Sequence, residues 1–187
     1  MEIRTIFFIG KPGCGKDTQA ELLSKKTGWP VISAGDQFRK LAQEDSMLGR
    51  KIKREIDSGA LAPDWIALHL YLESLFAVPE EHGVIFDGFS RELSQAKLIL
   101  KSLTWLERPF HILNIAVSDE SVRERLALRS KKAGRADDGA VDERLREYYE
   151  HTEPAIEFFR KEGTLIEIDG EPSPDKIAEA IRTVLKI

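Results

Sequence analysis

The sequence predicts an α/β protein with three layers, in which a five-stranded parallel sheet has helices on both faces. Two observations predict this fold class. Short apolar runs alternate with longer amphipathic stretches, which is the pattern of parallel strands joined by helical crossovers. A glycine-rich turn directly follows the first apolar run and opens a helical pattern. The length of 187 residues suits one domain with a sizeable core.

The strands are predicted at residues 4–9, 30–33, 83–87, 111–117 and 164–168, where the chain is apolar and bounded by turn residues. The first helix is expected to end at Gly28, because glycine readily takes the left-handed conformation found after helix ends. In the last helix Ile177 and Ile181 recur at helical spacing and are predicted to face the core. Pro154 is expected to kink or interrupt the long helix that follows residue 140, because proline lacks a backbone N–H.

Two stretches fall outside the alternation of strands and helices. Residues 36–73 are helical in pattern throughout and are predicted to form an insertion of short helices on the sheet edge. Residues 129–139 are polar and contain two glycines, so they are predicted to form a mobile loop.

Composition narrows the class of protein. The net charge is −4, from 28 basic and 32 acidic residues, so nothing in the overall charge favours nucleic acid or an acidic membrane as a partner. The longest apolar runs fall short of the about 20 residues that span a bilayer. Cys14 is the single cysteine, which excludes an internal disulfide and suits a reducing compartment. A cytoplasmic protein is therefore expected.

The turn after the first strand, GKPGCGK at residues 10–16, matches the G-x-x-x-x-G-K core of a phosphate-binding loop. Its glycines allow successive N–H groups to point at phosphate oxygens, and the helix that follows adds its positive end. Lys16 supplies a positive charge for the β- and γ-phosphates. The sequence thus predicts a fold similar to that of P-loop NTPases, although Asp17 stands where the common loop has a Ser or Thr.

Acidic and basic side chains that suit phosphoryl transfer follow later in the chain. Asp87 ends the third predicted strand, where a carboxylate can hold Mg²⁺ directly or through water. Arg125 and Arg129 are four residues apart and share one helix face, and Arg135 and Arg144 follow in the polar loop and the next helix. Guanidinium groups orient phosphates and neutralise the charge that spreads over their oxygens.

Several motifs together resemble the nucleoside monophosphate kinases of the adenylate kinase type. GKPGCGKDTQA is similar to the family's G-x-P-G-x-G-K-G-T-Q-A loop, and ISAGDQFR, GALA and DGFSR resemble its I-S-[TA]-G-D-x-x-R, G-x-L-V and D-G-F-P-R segments. GRADD and the helix after it are similar to the family's short lid and long helix. The resemblance runs from the first strand to the last helix in one order.

The resemblance implies reversible phosphoryl transfer from Mg·ATP to a nucleoside monophosphate. It implies a core of residues 1–35, 74–129 and 139–187, a monophosphate-binding insertion of residues 36–73 and a short lid of residues 130–138. Relatives with a long lid carry a cysteine cluster of the zinc-binding type there, which this chain lacks, so Mg²⁺ and no zinc is expected. Family members of this size are often monomers, and a monomer is expected here.

The resemblance also implies site residues by matching position. The catalytic set is Lys16, Arg91, Arg125, Arg135 and Arg144. The ATP-binding set is Gly10, Pro12, Gly13, Cys14, Gly15, Lys16, Asp17, Thr18, Arg125 and Arg129. The acceptor-binding set is Ser33, Ala34, Gly35, Arg39, Ala60, Ala62, Gly88, Arg91, Gln95, Arg135 and Arg144. Asp87 would hold Mg²⁺ through water, with Thr18 as a second candidate.

Two of these positions disagree about the acceptor base. Gln95 is the residue that adenylate kinases have, and its amide suits an adenine edge. Ala34 is the choice typical of UMP/CMP kinases. AMP is favoured because Gln95 makes polar contacts, whereas Ala34 only lacks one. A UMP/CMP or broad-specificity kinase is the alternative, and a nucleotide-binding protein with impaired catalysis is a further one.

Two departures from the family pattern bear on activity. Ser90 replaces the proline of D-G-F-P-R, which is expected to loosen the turn that aims Arg91. Asp17 replaces the loop's last glycine, while the hydroxyl that the family uses is retained as Thr18. Our hypothesis is that the Asp17 carboxylate turns away from the phosphates, towards a position favourable to the helix dipole.

Overall fold

A computed structural model describes residues 3–58, 60–133 and 140–187. Five parallel strands form one sheet in the order β2-β3-β1-β4-β5. The strands are β1 (Thr5–Gly10), β2 (Val31–Ser33), β3 (Val84–Asp87), β4 (Phe110–Ala116) and β5 (Leu165–Asp169). The predicted parallel sheet is confirmed, and each strand begins and ends within one residue of the predicted position.

Helices connect the strands and cover both faces of the sheet. They are α1 (Lys16–Thr27), α2 (Ala34–Ala42), α3 (Met47–Ser58), α4 (Asp64–Phe76), α5 (Leu93–Trp105), α6 (Asp119–Ala133), α7 (Val141–Glu147), α8 (Glu153–Lys161) and α9 (Pro174–Leu185). Gly28 caps α1 at φ 76°, as predicted, and its N–H donates to the Ser24 carbonyl. In the described part of the chain, no helix is long and apolar enough to cross a membrane.

The central strand β1 is buried on both faces, so its residues divide between two apolar cores. Phe7 contributes to the core under α4, α5 and α8, where its ring stacks on Phe86 with centroids 4.8 Å apart. Ile6 and Phe8 point the opposite way, into the core that α1 and α9 cover. Because neighbouring residues of a strand alternate between faces, a continuous apolar run is what a doubly covered strand requires.

The segment of residues 36–73 is mainly helical and comprises most of α2, α3 and most of α4, with non-helical connections at residues 43–46 and 60–63. Helix α4 anchors it to the rest of the molecule, since the Tyr71 hydroxyl lies 2.9 Å from the Ser102 hydroxyl of α5. The helical pattern is therefore confirmed. The division of the chain into a core, an insertion and a lid stays a prediction, and lid residues 134–138 lie outside the described residues. The predicted loop at residues 129–139 is wrong over residues 129–133, because α6 continues through them to Ala133.

The long helix after residue 140 is interrupted as Pro154 predicted. Helix α7 ends at Glu147, a π-helical turn occupies Tyr148–Thr152, and α8 begins at Glu153 with Pro154 in its first turn. Proline is tolerated there because the N–H groups of a first turn have no partner within the helix. The wider turn also brings Thr152 beside the strand ends, where its hydroxyl donates to the Arg91 carbonyl at 3.0 Å.

Candidate active site

The carboxyl ends of three adjacent strands meet at one edge of the sheet. Strand β1 ends at Gly10, β2 at Ser33 and β3 at Asp87, and Asp87 pairs with residues of both neighbouring strands. In an open parallel sheet, ligands bind beyond the carboxyl ends at the point where the strand order reverses. Here that point is β1, since the chain first adds β2 and β3 on one side and then β4 and β5 on the other.

The loop between β1 and α1 depends on glycine at its first position. Gly10 has φ +144°, and a side chain there would bring Cβ to 2.7 Å from the Ile115 carbonyl oxygen. Gly15 has φ +98° and directly precedes the first residue of α1. The loop therefore ends at the N-terminus of a twelve-residue helix, whose first N–H groups have no intrahelical partner and favour anions.

Cys14 is enclosed by this loop and is 0 % exposed. Its backbone N–H donates to the Lys11 carbonyl at 3.2 Å. Burial raises the pKa of the Cys14 thiol, which keeps it protonated near neutral pH. Cys14 therefore shapes the loop without acting as a nucleophile.

Lys16 is 9 % exposed, which is unusual for a lysine, and its ammonium lies 3.6 Å from the Asp17 carboxylate. The hypothesis that this carboxylate turns away from the phosphate site is therefore wrong for the ligand-free protein. The physical reason is helix geometry, because side chains in a helix tilt towards its N-terminus. Asp17, in the first turn of α1, is carried back towards the loop.

Asp87 is 4 % exposed, and its Oδ1 atom has no hydrogen-bond partner among the described residues. Burial raises the pKa of the Asp87 carboxyl to about 6, Lys16 opposes this change and Asp17 adds to it. The carboxylate is thus ionised at neutral pH although it is buried. A buried, ionised and incompletely bonded oxygen is what a cation site provides before the cation arrives.

Arg91 is held in place by three hydrogen bonds. Its backbone N–H donates to the Gln95 amide oxygen at 2.9 Å, and its Nε donates to the Gly88 carbonyl at 2.9 Å. The third is the bond that its carbonyl accepts from Thr152. Ser90, just before it, is 1 % exposed and adopts φ +67°. The replacement of proline by Ser90 therefore leaves Arg91 anchored, contrary to the expected loosening of the turn.

A cavity of about 950 Å³, counting its open mouth, lies between α2, α3 and the strand ends. It is lined by every described member of the predicted acceptor-binding set, together with Lys16, Asp17, Asp87 and Arg129. Sequence reasoning missed four apolar residues of its wall, which are Phe38, Ile56, Leu61 and Ala67. The signal that could have found them is the apolar spacing within residues 36–73. We call this cavity the acceptor cleft.

A second cavity lies on the other side of the phosphate loop, and we call it the donor cleft. Its lining residues are Gly13, Cys14, Gly15, Asp17, Thr18, Gln19, Glu21, Arg125, Leu126, Arg129, Pro172, Pro174 and Ile177. Pro172 lies between β5 and α9 and Pro174 begins α9, and the sequence analysis connected neither with the site. Asp17 and Arg129 line both clefts, so the clefts meet at the phosphate loop.

The structure separates the two arginines of α6. The Arg125 guanidinium donates to the Cys14 carbonyl at 3.2 Å and to the Gly170 carbonyl at 2.8 Å, and it lines the donor cleft. Arg125 does not line the acceptor cleft, whereas Arg129 and Arg144 do. Gly10 and Pro12 line a small neighbouring cavity together with Lys16. Arg135 lies outside the described residues.

The arrangement defines a P-loop phosphotransferase. A glycine-rich loop, a nearly buried lysine, a strand-end carboxylate and several arginines converge where two clefts meet. This set suits phosphoryl transfer, which requires positioning and charge neutralisation and little covalent chemistry from the protein.

Comparison with known proteins identifies the family. Residues 8–164 match the family model described as adenylate kinase. The adenylate kinase of Cyanothece sp. is 37 % identical over 178 residues, covering 93 % of this chain and 91 % of that protein. The adenylate kinase of Maricaulis maris is 36 % identical over 186 residues (97 % and 98 %), and that of Archaeoglobus fulgidus is 33 % identical over 211 residues (97 % and 97 %). The chain belongs to the adenylate kinase family.

Proposed function

We propose that this protein transfers a phosphoryl group from Mg·ATP to AMP, reversibly, and gives two ADP. The observation that carries the proposal is the meeting of the two clefts at Asp17 and Arg129, beside Lys16, where a donor phosphate and an acceptor phosphate would face each other. The relatives, which are named adenylate kinases, support adenylate as the acceptor.

The donor nucleotide would occupy the donor cleft, with its phosphates on the loop between Gly10 and Lys16. Arg125, Pro172 and Pro174 line the donor cleft and not the acceptor cleft, and we propose that they contact the nucleoside end of ATP. Arg129 lines both clefts and would contact the transferred phosphate. This assignment modifies the sequence-based one, which placed Arg125 at the transferred group and Arg129 beside it.

The acceptor phosphate would lie among guanidinium groups of the acceptor cleft. Arg91 is oriented by its bond to the Gly88 carbonyl, and Arg39 and Arg144 line the same cleft. Ala60 and Ala62 line the same cleft, and their backbone groups would contact the acceptor nucleoside. Rigid guanidinium donors fit phosphate oxygens in pairs, so the set both orients the acceptor and balances its charge.

Gln95 is compatible with adenine as the acceptor base. Its amide oxygen already accepts one bond from the Arg91 N–H, which leaves one lone pair and the two N–H donors of the amide. An adenine edge offers a ring nitrogen acceptor beside an amino donor, which matches those remaining groups. A pyrimidine edge can also pair with these groups, so the names of the relatives, and not Gln95, decide between the bases. Ala34, which favours UMP or CMP, contributes only a methyl group to the cleft wall.

The residues present fit Mg²⁺ bound with ATP. The Asp87 carboxylate, with its unpaired Oδ1, would hold the ion through water, and the Thr18 hydroxyl lies in the donor cleft as a second candidate. When bound, Mg²⁺ neutralises charge on the phosphate oxygens. Lys16 adds positive charge at the reacting group, and the arginines hold donor and acceptor oxygens in line.

We further propose that residues 36–73 form the monophosphate-binding unit and residues 130–138, with Arg135, a lid over the reacting groups. Closure of such units excludes water from phosphoryl transfer. We also propose that the protein is a monomer and works in the cytoplasm.

A coupled assay with Mg·ATP tests the proposed reaction against AMP, dAMP, CMP, UMP, GMP and dTMP. We expect the highest kcat/KM with AMP. Faster turnover of CMP or UMP would establish the alternative that Ala34 favours, and an absence of turnover with every acceptor would refute a kinase function.

A further inference from the structure

Asp17 is a charged residue at a position where relatives with the G-K-G-T loop have no side chain. It is half exposed, it lines both clefts, and its Oδ1 lies 3.6 Å from the Lys16 ammonium. Asp17 thus lies beside the lysine that is expected to contact the phosphates. A carboxylate this close must change how the loop binds a polyanion.

Asp87 is the second carboxylate at this place, and it carries the independent sign of a missing ligand. It lines the acceptor cleft together with Lys16 and Asp17, it is almost fully buried, and its Oδ1 has no hydrogen-bond partner among the described residues. The charge of Asp17 acts on Asp87, since it contributes to the raised pKa of that carboxyl. Two carboxylates therefore lie beside Lys16, in a cleft that Arg91 and Arg129 also line.

We propose that Asp17 makes the site selective for metal-bound ATP over metal-free ATP. Metal-free ATP brings about four negative charges towards the Asp17 and Asp87 carboxylates. Lys16 and the arginines of the cleft attract those charges in wild type and in an Asp17 variant alike, so the Asp17 charge by itself opposes binding. With Mg·ATP a divalent cation lies near the same carboxylates, and Mg²⁺ is commonly held by one or two carboxylates together with substrate phosphates. The attraction between the Asp17 carboxylate and the ion then offsets the repulsion between Asp17 and the phosphates.

The inference rests on the proposed function, because it takes the donor to be Mg·ATP. The inference goes beyond the proposed function because it gives a role to Asp17, the phosphate-loop residue that departs from the family pattern. A loop with glycine at this position has no such charge, so its preference for the metal complex must come from other groups.

The test is calorimetric titration of ATP into the full chain without any acceptor, once in excess EDTA and once in excess Mg²⁺. Wild type is compared with Asp17→Asn, which keeps the shape and removes the charge, and with Asp17→Gly, the family-type residue. Glu179→Gln is the matched control, since Glu179 is an exposed acid on α9, the helix that packs on α1. We expect Asp17→Asn and Asp17→Gly to bind metal-free ATP at least tenfold more tightly than wild type. Their affinity for Mg·ATP should change less than threefold, and the control should change neither affinity.

Equal strengthening of both affinities would overturn the inference, because Asp17 would then only compete for Lys16. Unchanged affinity for metal-free ATP would overturn it as well. Thermal unfolding of each variant verifies that it is folded. Failure of the proposed function is distinguishable, because it appears as a lack of turnover by wild type in the acceptor assay. Turnover with AMP but an unaltered ratio of the two ATP affinities would refute the role of Asp17 alone.

Discussion

Ser90 is expected to destabilise the folded protein, so replacing it should raise the free energy of unfolding by a measurable amount. It combines two unfavourable features, a left-handed backbone at φ +67° and a buried hydroxyl without a hydrogen-bond partner among the described residues. The left-handed conformation costs a residue with a side chain about 1–2 kcal/mol. A buried hydroxyl without a partner costs about 1–3 kcal/mol.

Ser90→Gly removes both features, at the expense of the extra freedom that glycine gains in the unfolded chain, about 0.5–1 kcal/mol. We expect the free energy of unfolding to rise by about 2 kcal/mol, given these opposing magnitudes. For a chain of this size each kcal/mol corresponds to about 2–4 °C in Tm, so Tm should rise by about 5 °C. Ser90→Ala removes only the hydroxyl and should give about half of the gain in stability.

Calorimetric thermal unfolding and urea titration in the absence of nucleotide measure these effects. Glu107→Gly is the matched control, because Glu107 has φ +51° but is exposed, so it reports the backbone contribution alone. Turnover of Ser90→Gly should stay within threefold of wild type, since the three bonds of Arg91 do not involve the Ser90 side chain. An unchanged or lower Tm for Ser90→Gly, with a raised Tm for the control, would refute this reasoning.

Three further predictions concern the site itself. Lys16→Ala or Arg91→Ala should each lower kcat at least a hundredfold in the coupled assay, because in the proposed site Lys16 would balance charge on the transferred group and Arg91 would hold the acceptor phosphate; retained activity would contradict these proposed roles. Asp87→Asn should be more stable than wild type in metal-free buffer at pH 8 by as much as about 3 kcal/mol, the value of a pKa difference of about two. The pKa of the Asp87 carboxyl is about 6 in the folded protein and ordinarily 3.8, so wild type loses stability as pH rises between these two values. Urea titrations should therefore show that the stability difference between Asp87→Asn and wild type becomes smaller towards pH 4. Thr152→Val removes the donor to the Arg91 carbonyl and should lower the free energy of unfolding by about 1 kcal/mol, with a raised KM for AMP and an unchanged KM for ATP.

The sheet was predictable from the sequence because its strands are apolar on both faces and bounded by turn residues. A doubly covered strand such as β1 needs side chains like Ile6 and Phe7 in succession, and few other elements have that pattern. The phosphate loop was predictable for a similar reason, since a glycine is required at Gly10 by the approach of a neighbouring strand.

The directions of individual side chains at the site were not predictable in the same way. Arg125 and Arg129 share a helix face, but one turn of helix is enough for Arg129 to line both clefts while Arg125 lines the donor cleft and not the acceptor cleft. The spacing of residues predicts which face of a helix they share, but it does not predict what each side chain reaches along the helix axis. The position of Asp17 depends on the tilt of side chains towards the start of α1 and on the charge of Lys16, and neither is visible in the spacing of residues.

The enclosed thiol of the phosphate loop has a practical consequence. Because Cys14 is the only cysteine, fully buried and held protonated, it should react slowly with maleimide reagents in the folded protein. A cysteine introduced at an exposed position such as Glu55 of α3 could then be labelled selectively in the natural background. A second one at Lys176 of α9 would complete a donor–acceptor dye pair. Fluorescence energy transfer between them would report any movement of α3 on nucleotide binding without altering the loop that holds the phosphates.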